Sequence, residues 1–276
     1  MPQPYYEHHA ALTKDKLCPF KTHSAKGSRN TPCNWHRNIE LLHFTGSSGS
    51  IQYGAEEIAV SAGDTVIVNS GTLHSIHSDT GLDYYCLIID ERFCLENGID
   101  TSRLRFTPTV RDRELSKLIV SAAEEIKRYN EGTEKRLTNA ARARSAVLML
   151  LITLCEKYSE PYTDAPETGT SSERYVKKVI EYVNDNLTER ITLDSLASVC
   201  GITKYHLVRE FKRYTGQTVF EYLNASRCKR ADACLAEGMT ATETALECGF
   251  ESLSYFSRTY KKIRGISPSE KKAKVK

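Results

Sequence analysis

The sequence predicts two domains of different class. The first is an antiparallel β-barrel or sandwich with a helical hairpin; the second is all-α, with two helix-turn-helix units joined by a long helix. Three observations carry this. From Ile39 to about Asp90, short β-favouring runs alternate with Gly, Ser, Asn and Asp. From Arg111 to Tyr158 the apolar spacing turns helical. From Thr192 to Pro268 one short pattern occurs twice.

At 276 residues the chain is long enough for two cores, and 26% charged with 40% hydrophobic residues is ordinary for a soluble globular protein. No apolar run reaches membrane-spanning length, and His8, His9, Lys14, Asp15 and Lys16 break any leader-like stretch at the start. The nine cysteines are scattered without a Cys-x-x-Cys pair, which reads as reduced thiols in a cytoplasmic protein. Residues 1 to about 30 show no clear periodicity.

Six runs then read as strands: Ile39–Phe44, Ser50–Tyr53, Glu57–Val60, Thr65–Val68, Leu73–His77 and Leu82–Ile89. The run Asn34-Trp35-His36-Arg37-Asn38-Ile39-Glu40, then Gly46, precedes and opens them; Gly63 to His74 follows later. Over about residues 20 to 105 these two stretches are similar to the motifs of the cupin barrel. That resemblance puts His36, Glu40 and His74 on three of four metal-ligand positions, with Asn34 in place of the first histidine. Two imidazoles and a carboxylate suit Zn²⁺ or Fe²⁺, yet with one ligand missing no metal or cofactor is expected. The same residues, with Trp35 as a stacking face, are expected to line a pocket for a small polar effector such as a sugar.

Two helices follow, Arg111–Asn130 and Leu137–Tyr158. The first turns Leu115, Leu118, Ile119, Ala122 and Ile126 inward, the second Ala140, Ala141, Arg144, Val147, Leu148, Leu151, Ile152 and Cys155. The second stripe is broader than one sheet face needs, so a homodimer is expected through it. Residues 159–172 read as a linker from their Ser, Pro, Gly and Thr content, dividing a domain at 1–158 from one at 173–276. A helix from about Ser172 to Leu187 opens the second domain, with Val176, Val179, Ile180 and Val183 inward.

The repeat comes next, as helix-turn-helix units at 192–214 and 240–263. Copy one reads Ala197, Gly201, Ile202, Thr203, Leu207, Arg209, Phe211, Lys212, Arg213, Gly216. Copy two reads Ala245, Gly249, Phe250, Ser252, Phe256, Arg258, Tyr260, Lys261, Lys262, Gly265, with a turn one residue longer. The alanines permit a close crossing, the glycines a left-handed turn, and Thr203 and Ser252 cap the second helix of each unit. Between the copies, Gln217 to Glu237 lacks Gly and Pro and reads as one helix. Opposite the apolar stripes stand donors that a major groove accepts. Charge agrees: residues 173–276 hold 19 Lys and Arg against 13 Asp and Glu, whereas the first 172 hold 19 against 22.

The two copies, with Arg227, Ala231 and Leu235 between them, resemble the DNA-binding domain of the AraC/XylS family of bacterial transcription regulators. The resemblance covers about residues 173 to 273. It implies that Tyr205, Val208 and Arg209 face bases in one groove and Leu253, Ser254 and Arg258 in the next. Lys204, His206, Lys212, Arg213, Ser257 and Lys261 would complete the contact with double-stranded DNA. It further implies an activator that works with RNA polymerase and responds to a small molecule in the barrel. No enzyme activity and no catalytic residue are expected. Two alternatives stay open: a metal-binding cupin enzyme or metal sensor fused to a DNA-binding domain, and a barrel that only dimerises.

Overall fold

The computed structural model describes residues 17–28, 31, 33–132, 136–161 and 170–273. The described chain divides into two compact units between Thr170 and Ser171. The first unit begins with strands β1 (Phe20–Ser28), β2 (Ile39–Gly46), β3 (Ser48–Tyr53), β4 (Glu56–Ser61), β5 (Thr65–Val68), β6 (His74–His77) and β7 (Leu82–Ile89). A short helix α1 (Glu91–Glu96), strands β8 (Leu104–Phe106) and β9 (Thr109–Val110), helices α2 (Arg113–Glu131) and α3 (Arg136–Tyr158), and strand β10 (Ser159–Pro161) complete it. The strands form a five-stranded sheet in the order β1-β7-β2-β5-β9, a three-stranded sheet β4-β3-β6 and a β10-β8 ribbon. All pairings are antiparallel.

The five-stranded sheet is apolar on both faces because each face has its own core. In β2 every residue from Ile39 to Phe44 is buried. Alternation along the strand sends Ile39 and Leu41 into a core with Leu87, Ile119 and Leu151, which the α2–α3 hairpin covers. Leu42 and Phe44 point the other way, into a core with Ile51, Val66 and Ile76 between the two sheets. Glu40 shares their side of the strand. A carboxylate therefore enters an apolar interior.

Three segments differ from the sequence reading. Phe20–Ser28 is a strand although no periodicity marks it; it pairs with β7 from Phe20↔Ile89 to Ser24↔Tyr85 at a sheet edge. Lys21, His23 and Ser24 are exposed, so backbone pairing holds this strand and hydrophobic patterning does not report it. Ser159–Pro161, read as the start of a linker, pairs with Leu104–Phe106 instead. The rest of that expectation, residues 162–169, lies outside the described residues. In α3 the buried stripe is Ala140, Ala143, Val147, Leu150, Leu151 and Leu154. Ala141, expected inside, is exposed, and Arg144, Leu148, Ile152 and Cys155 are half-buried. The helix packs against α2 and the β8–β10 ribbon, with its inward face centred on Ala143, Val147 and Leu150.

The second unit is helical: α4 (Ser171–Asp185), α5 (Leu193–Cys200), α6 (Lys204–Thr215), α7 (Val219–Ala236), α8 (Ala241–Glu247), α9 (Leu253–Arg264) and α10 (Pro268–Ala273). Nearly every helix start is written locally. Thr192, Thr203, Thr218, Thr240 and Ser252 each accept a hydrogen bond from the third residue of the helix they cap. Glu221 and Glu243 close capping boxes with Thr218 and Thr240. Val176, Val179, Ile180 and Val183 of α4 are buried, as their spacing predicts. Among the described residues no helix is long and apolar enough to cross a membrane.

The two turns make different demands on glycine. Gly201 ends α5 at φ 67°, and a Cβ there would meet nothing within 4 Å. Gly249 sits at φ 75°, and a Cβ there would lie 2.6 Å from both the Leu187 carbonyl oxygen and the Thr188 Cα. The second turn needs glycine for conformation and for packing.

Candidate functional site

Helices α6 and α9 occupy matching places in the two units. Leu207 and Phe211 anchor α6, and Phe256 and Tyr260 anchor α9; all four are buried. These anchors turn the expected contact residues outward. On α6, Lys204, Tyr205, Val208, Arg209, Lys212 and Arg213 are exposed, Tyr205 by 78%, while His206 is half-buried. On α9, Leu253, Ser254, Arg258 and Lys261 are exposed and Ser257 is half-buried. The rigid spacer between them is α7, whose 18 residues span about 27 Å at 1.5 Å per residue.

The arginines are held differently. Arg209 donates through Nε to Glu210 Oε1 at 2.9 Å and through Nη2 to His206 Nδ1 at 3.3 Å. Arg213 donates to Glu210 Oε2 at 3.4 Å. Arg258 donates to the Ser254 hydroxyl at 3.4 Å. Lys204 pairs with Asp194 of α5 at 2.9 Å. Two residues of this region escaped the sequence reading. Glu210 looks like one more surface charge on a polar helix, yet it is buried. Tyr255 is exposed beside the α9 face, and its Oη accepts from Asn224 Nδ2 at 2.9 Å.

Within the sandwich, the stretch leading into β2, β2 itself and β6 bring His36, Glu40 and His74 together, their ligand-type atoms all within 4.8 Å of one another. Glu40 Oε2 lies 2.8 Å from His36 Nε2 and 3.2 Å from His74 Nε2. The Cys86 thiol donates to Glu40 Oε1 at 3.2 Å. Asn34 forms an isolated β-bridge with His74. Trp35, next to His36 in the chain, is half-buried. Burial acts to raise the Glu40 pKa, but the hydrogen bonds to both histidines outweigh it and hold the carboxyl well below its usual range.

The second ring nitrogens fix the tautomers. His36 Nδ1 lies 2.9 Å from the Asn38 carbonyl oxygen, and His74 Nδ1 lies 3.0 Å from that of Thr72. A carbonyl only accepts, so both Nδ1 atoms carry hydrogen. Each ring then either holds a second proton toward Glu40 or turns an Nε2 lone pair to a shared cation. The latter is the arrangement of metal-bound histidines, whose other nitrogen is usually pinned by a carbonyl.

Comparison with known proteins agrees with both halves. Residues 196–274 match the family described as a helix-turn-helix domain, and residues 23–151 match the AraC-like ligand binding domain. The chain is 22% identical over 249 residues to the HTH-type transcriptional regulator YdeC of Bacillus subtilis, covering 86% of this chain and 84% of that one. It is 33% identical over 95 residues to the HTH-type transcriptional activator AarP of Providencia stuartii, covering 34% of this chain and 70% of that one. The fold resembles a crystal structure of a variant of apo ToxT from Vibrio cholerae, with a TM-score of 0.50 at 13% identity over 93% of this chain and 98% of that one. Two helix-turn-helix units behind a ligand-binding sandwich, matched in both halves, place the chain in the AraC family of DNA-binding transcription regulators, a family of regulators and not of enzymes.

Proposed function

We propose that the chain reads one DNA site with two helices and that a ligand in the sandwich controls this reading. The exposed cationic faces of α6 and α9 on either side of α7 carry the proposal. Successive major grooves on one face of DNA lie about 34 Å apart, and an 18-residue spacer helix suits that interval. Tyr205, Val208 and Arg209 enter one groove; Leu253, Ser254 and Arg258 enter the next. Lys204, His206, Lys212, Arg213, Ser257 and Lys261 contact flanking phosphates and sugars. Selection of duplexes from a random pool by the purified chain tests this. A recovered sequence in two blocks supports it, and recovery without sequence preference refutes it.

The effector site is the His36–Glu40–His74 cluster, with Trp35 at its margin. The similarity to the AraC-like ligand binding domain and the polar lining of the cluster favour a carbohydrate, whose hydroxyls would exchange with the histidine–carboxylate hydrogen bonds. A second reading, a metal sensor, is favoured by the pinned Nδ1 atoms and the convergent Nε2 and Oε2 atoms. His36, Glu40 and His74 would hold a divalent transition ion, and such an ion supplies a fixed positive charge that draws the three together. A thermal-shift series with sugars, uronic acids and Zn²⁺ separates the two. A ligand must favour one arrangement of the chain over another to change DNA occupancy.

Activation in concert with RNA polymerase follows the activator relatives such as AarP. Dimerisation through α3 is proposed on what the fold leaves of the expected stripe: Ala140, Val147 and Leu151 are buried within the chain, while Ala141 is exposed and Leu148, Ile152 and Cys155 are half-buried. Sedimentation at micromolar concentration tests it, and a monomer there refutes it.

A further inference from the structure

Glu210 is a carboxylate only 3% exposed in the middle of the helix read here as DNA-facing. A charge so placed is costly unless paired, and every partner it has concerns the arginines or the helix behind them. Its Oε1 takes the Arg209 Nε hydrogen and its Oε2 an Arg213 Nη1 hydrogen. The Ser172 hydroxyl, in the first turn of α4, donates to it as well. Both arginine side chains remain 58% exposed, so the carboxylate grips the inner end of each guanidinium while the outer end faces solvent. For Arg209 the bonds at Nε and Nη2 leave Nη1 and the second Nη2 hydrogen for the O6 and N7 edge of a guanine, the pairing that needs a fixed planar fork.

The second unit is built differently. Thr259 stands at the place matching Glu210, and the only bond fixing Arg258 among the described residues is the 3.4 Å contact with Ser254.

We propose that Glu210 is a positioning residue for sequence readout: it holds Arg209 and Arg213 of the first recognition helix in the orientation that discriminates bases, without touching DNA itself. The inference rests on the reading of α6 as a DNA-facing helix. Glu210 carries negative charge toward a polyanion, so an electrostatic role in affinity would be adverse. Its benefit lies in discrimination, and that separates it from a merely structural acid.

The test uses the full chain, wild type, Glu210→Leu and Glu210→Gln, with a duplex selected by the wild type and a random duplex of equal length at one salt concentration. Loss of one fixed bidentate contact predicts about ten-fold weaker binding of the selected duplex by Glu210→Leu. Affinity for the random duplex stays level or rises, because the buried negative charge that offsets Arg209 and Arg213 is gone. Glu210→Gln, which keeps an acceptor but not the charge, falls between. Repeating the selection with Glu210→Leu should blur the same base positions that Arg209→Ala blurs. Unchanged binding of the selected duplex by both variants would overturn the proposal. So would equal losses on both duplexes, the signature of a folding defect. A wild type with no sequence preference would overturn this proposal together with the reading of α6.

Discussion

Replacing Arg227 with alanine should loosen the whole DNA-binding unit. Arg227 is buried in α7, where its Nε donates to the Leu187 carbonyl at 2.8 Å and its Nη2 to the Glu189 carbonyl at 2.9 Å. Its guanidinium carbon lies 5.7 Å from the centre of the Phe250 ring, in the turn of the second unit. One side chain thus joins the segment before the first helix-turn-helix, the spacer helix and the second unit. Two hydrogen bonds from a charged donor are worth about 1.5–3 kcal/mol each, and the ring contact adds about 0.5–1 kcal/mol. Against this stands the cost of burying the guanidinium. An adjoining cavity of 510 Å³, lined by Glu189, Arg227 and Tyr255 among others, also admits water to the freed carbonyls. A net loss of about 3 kcal/mol remains for Arg227→Ala, roughly 14 °C in the melting of a domain of about 100 residues. Arg227→Lys keeps one donor and should lose about half as much. Thermal unfolding followed by far-UV circular dichroism reads both. A shift below about 3 °C for Arg227→Ala would refute the assignment of Arg227 as the tie between the two helix-turn-helix copies.

Other substitutions test separate parts of the account. Arg209→Ala and Arg258→Ala should each weaken binding to a selected duplex by about 1–3 kcal/mol while sparing random DNA; equal losses on both would demote them to phosphate contacts. Gly249→Ala should destabilise far more than Gly201→Ala. Both incur roughly 1–2 kcal/mol for a left-handed alanine, but only the Gly249 Cβ collides with backbone, at 2.6 Å. Comparable melting temperatures for the two variants would contradict that packing. Glu40→Gln strips the carboxylate from between two buried imidazoles and should destabilise the sandwich by about 3 kcal/mol, read by urea unfolding. Under the metal reading, Zn²⁺ at a hundred times its Kd raises stability by about 2.7 kcal/mol, and His74→Ala abolishes the gain. A gain that survives His74→Ala places the ion elsewhere.

The second unit is legible because its rules are local. Thr203, Ser252, Gly201 and the Leu207–Phe211 spacing each act within a few residues, so the chain alone declares them. The six central strands show for the same reason: short β-favouring runs bounded by Gly, Ser, Asn and Asp are local signals, even where, as in β2, both faces are buried. What escaped depends on long-range pairing. β1 is exposed along most of its length and is held by β7, more than fifty residues away in the chain. β10 looks like linker until β8 is placed beside it. The cluster was only partly legible. The residue types at 36, 40 and 74 suggested a site, but the commitment of both Nδ1 atoms to carbonyls needs the folded turns. Glu210 could not be told from a solvated acid until α4 covered it.

One chain is proposed to read two adjacent major grooves of a single duplex. Footprinting the full chain on a selected duplex tests this directly. Two protected blocks are expected about one helical turn, roughly 10 base pairs, apart, the first lost with Arg209→Ala and the second with Arg258→Ala. One continuous block, or a footprint that neither substitution alters, would contradict it.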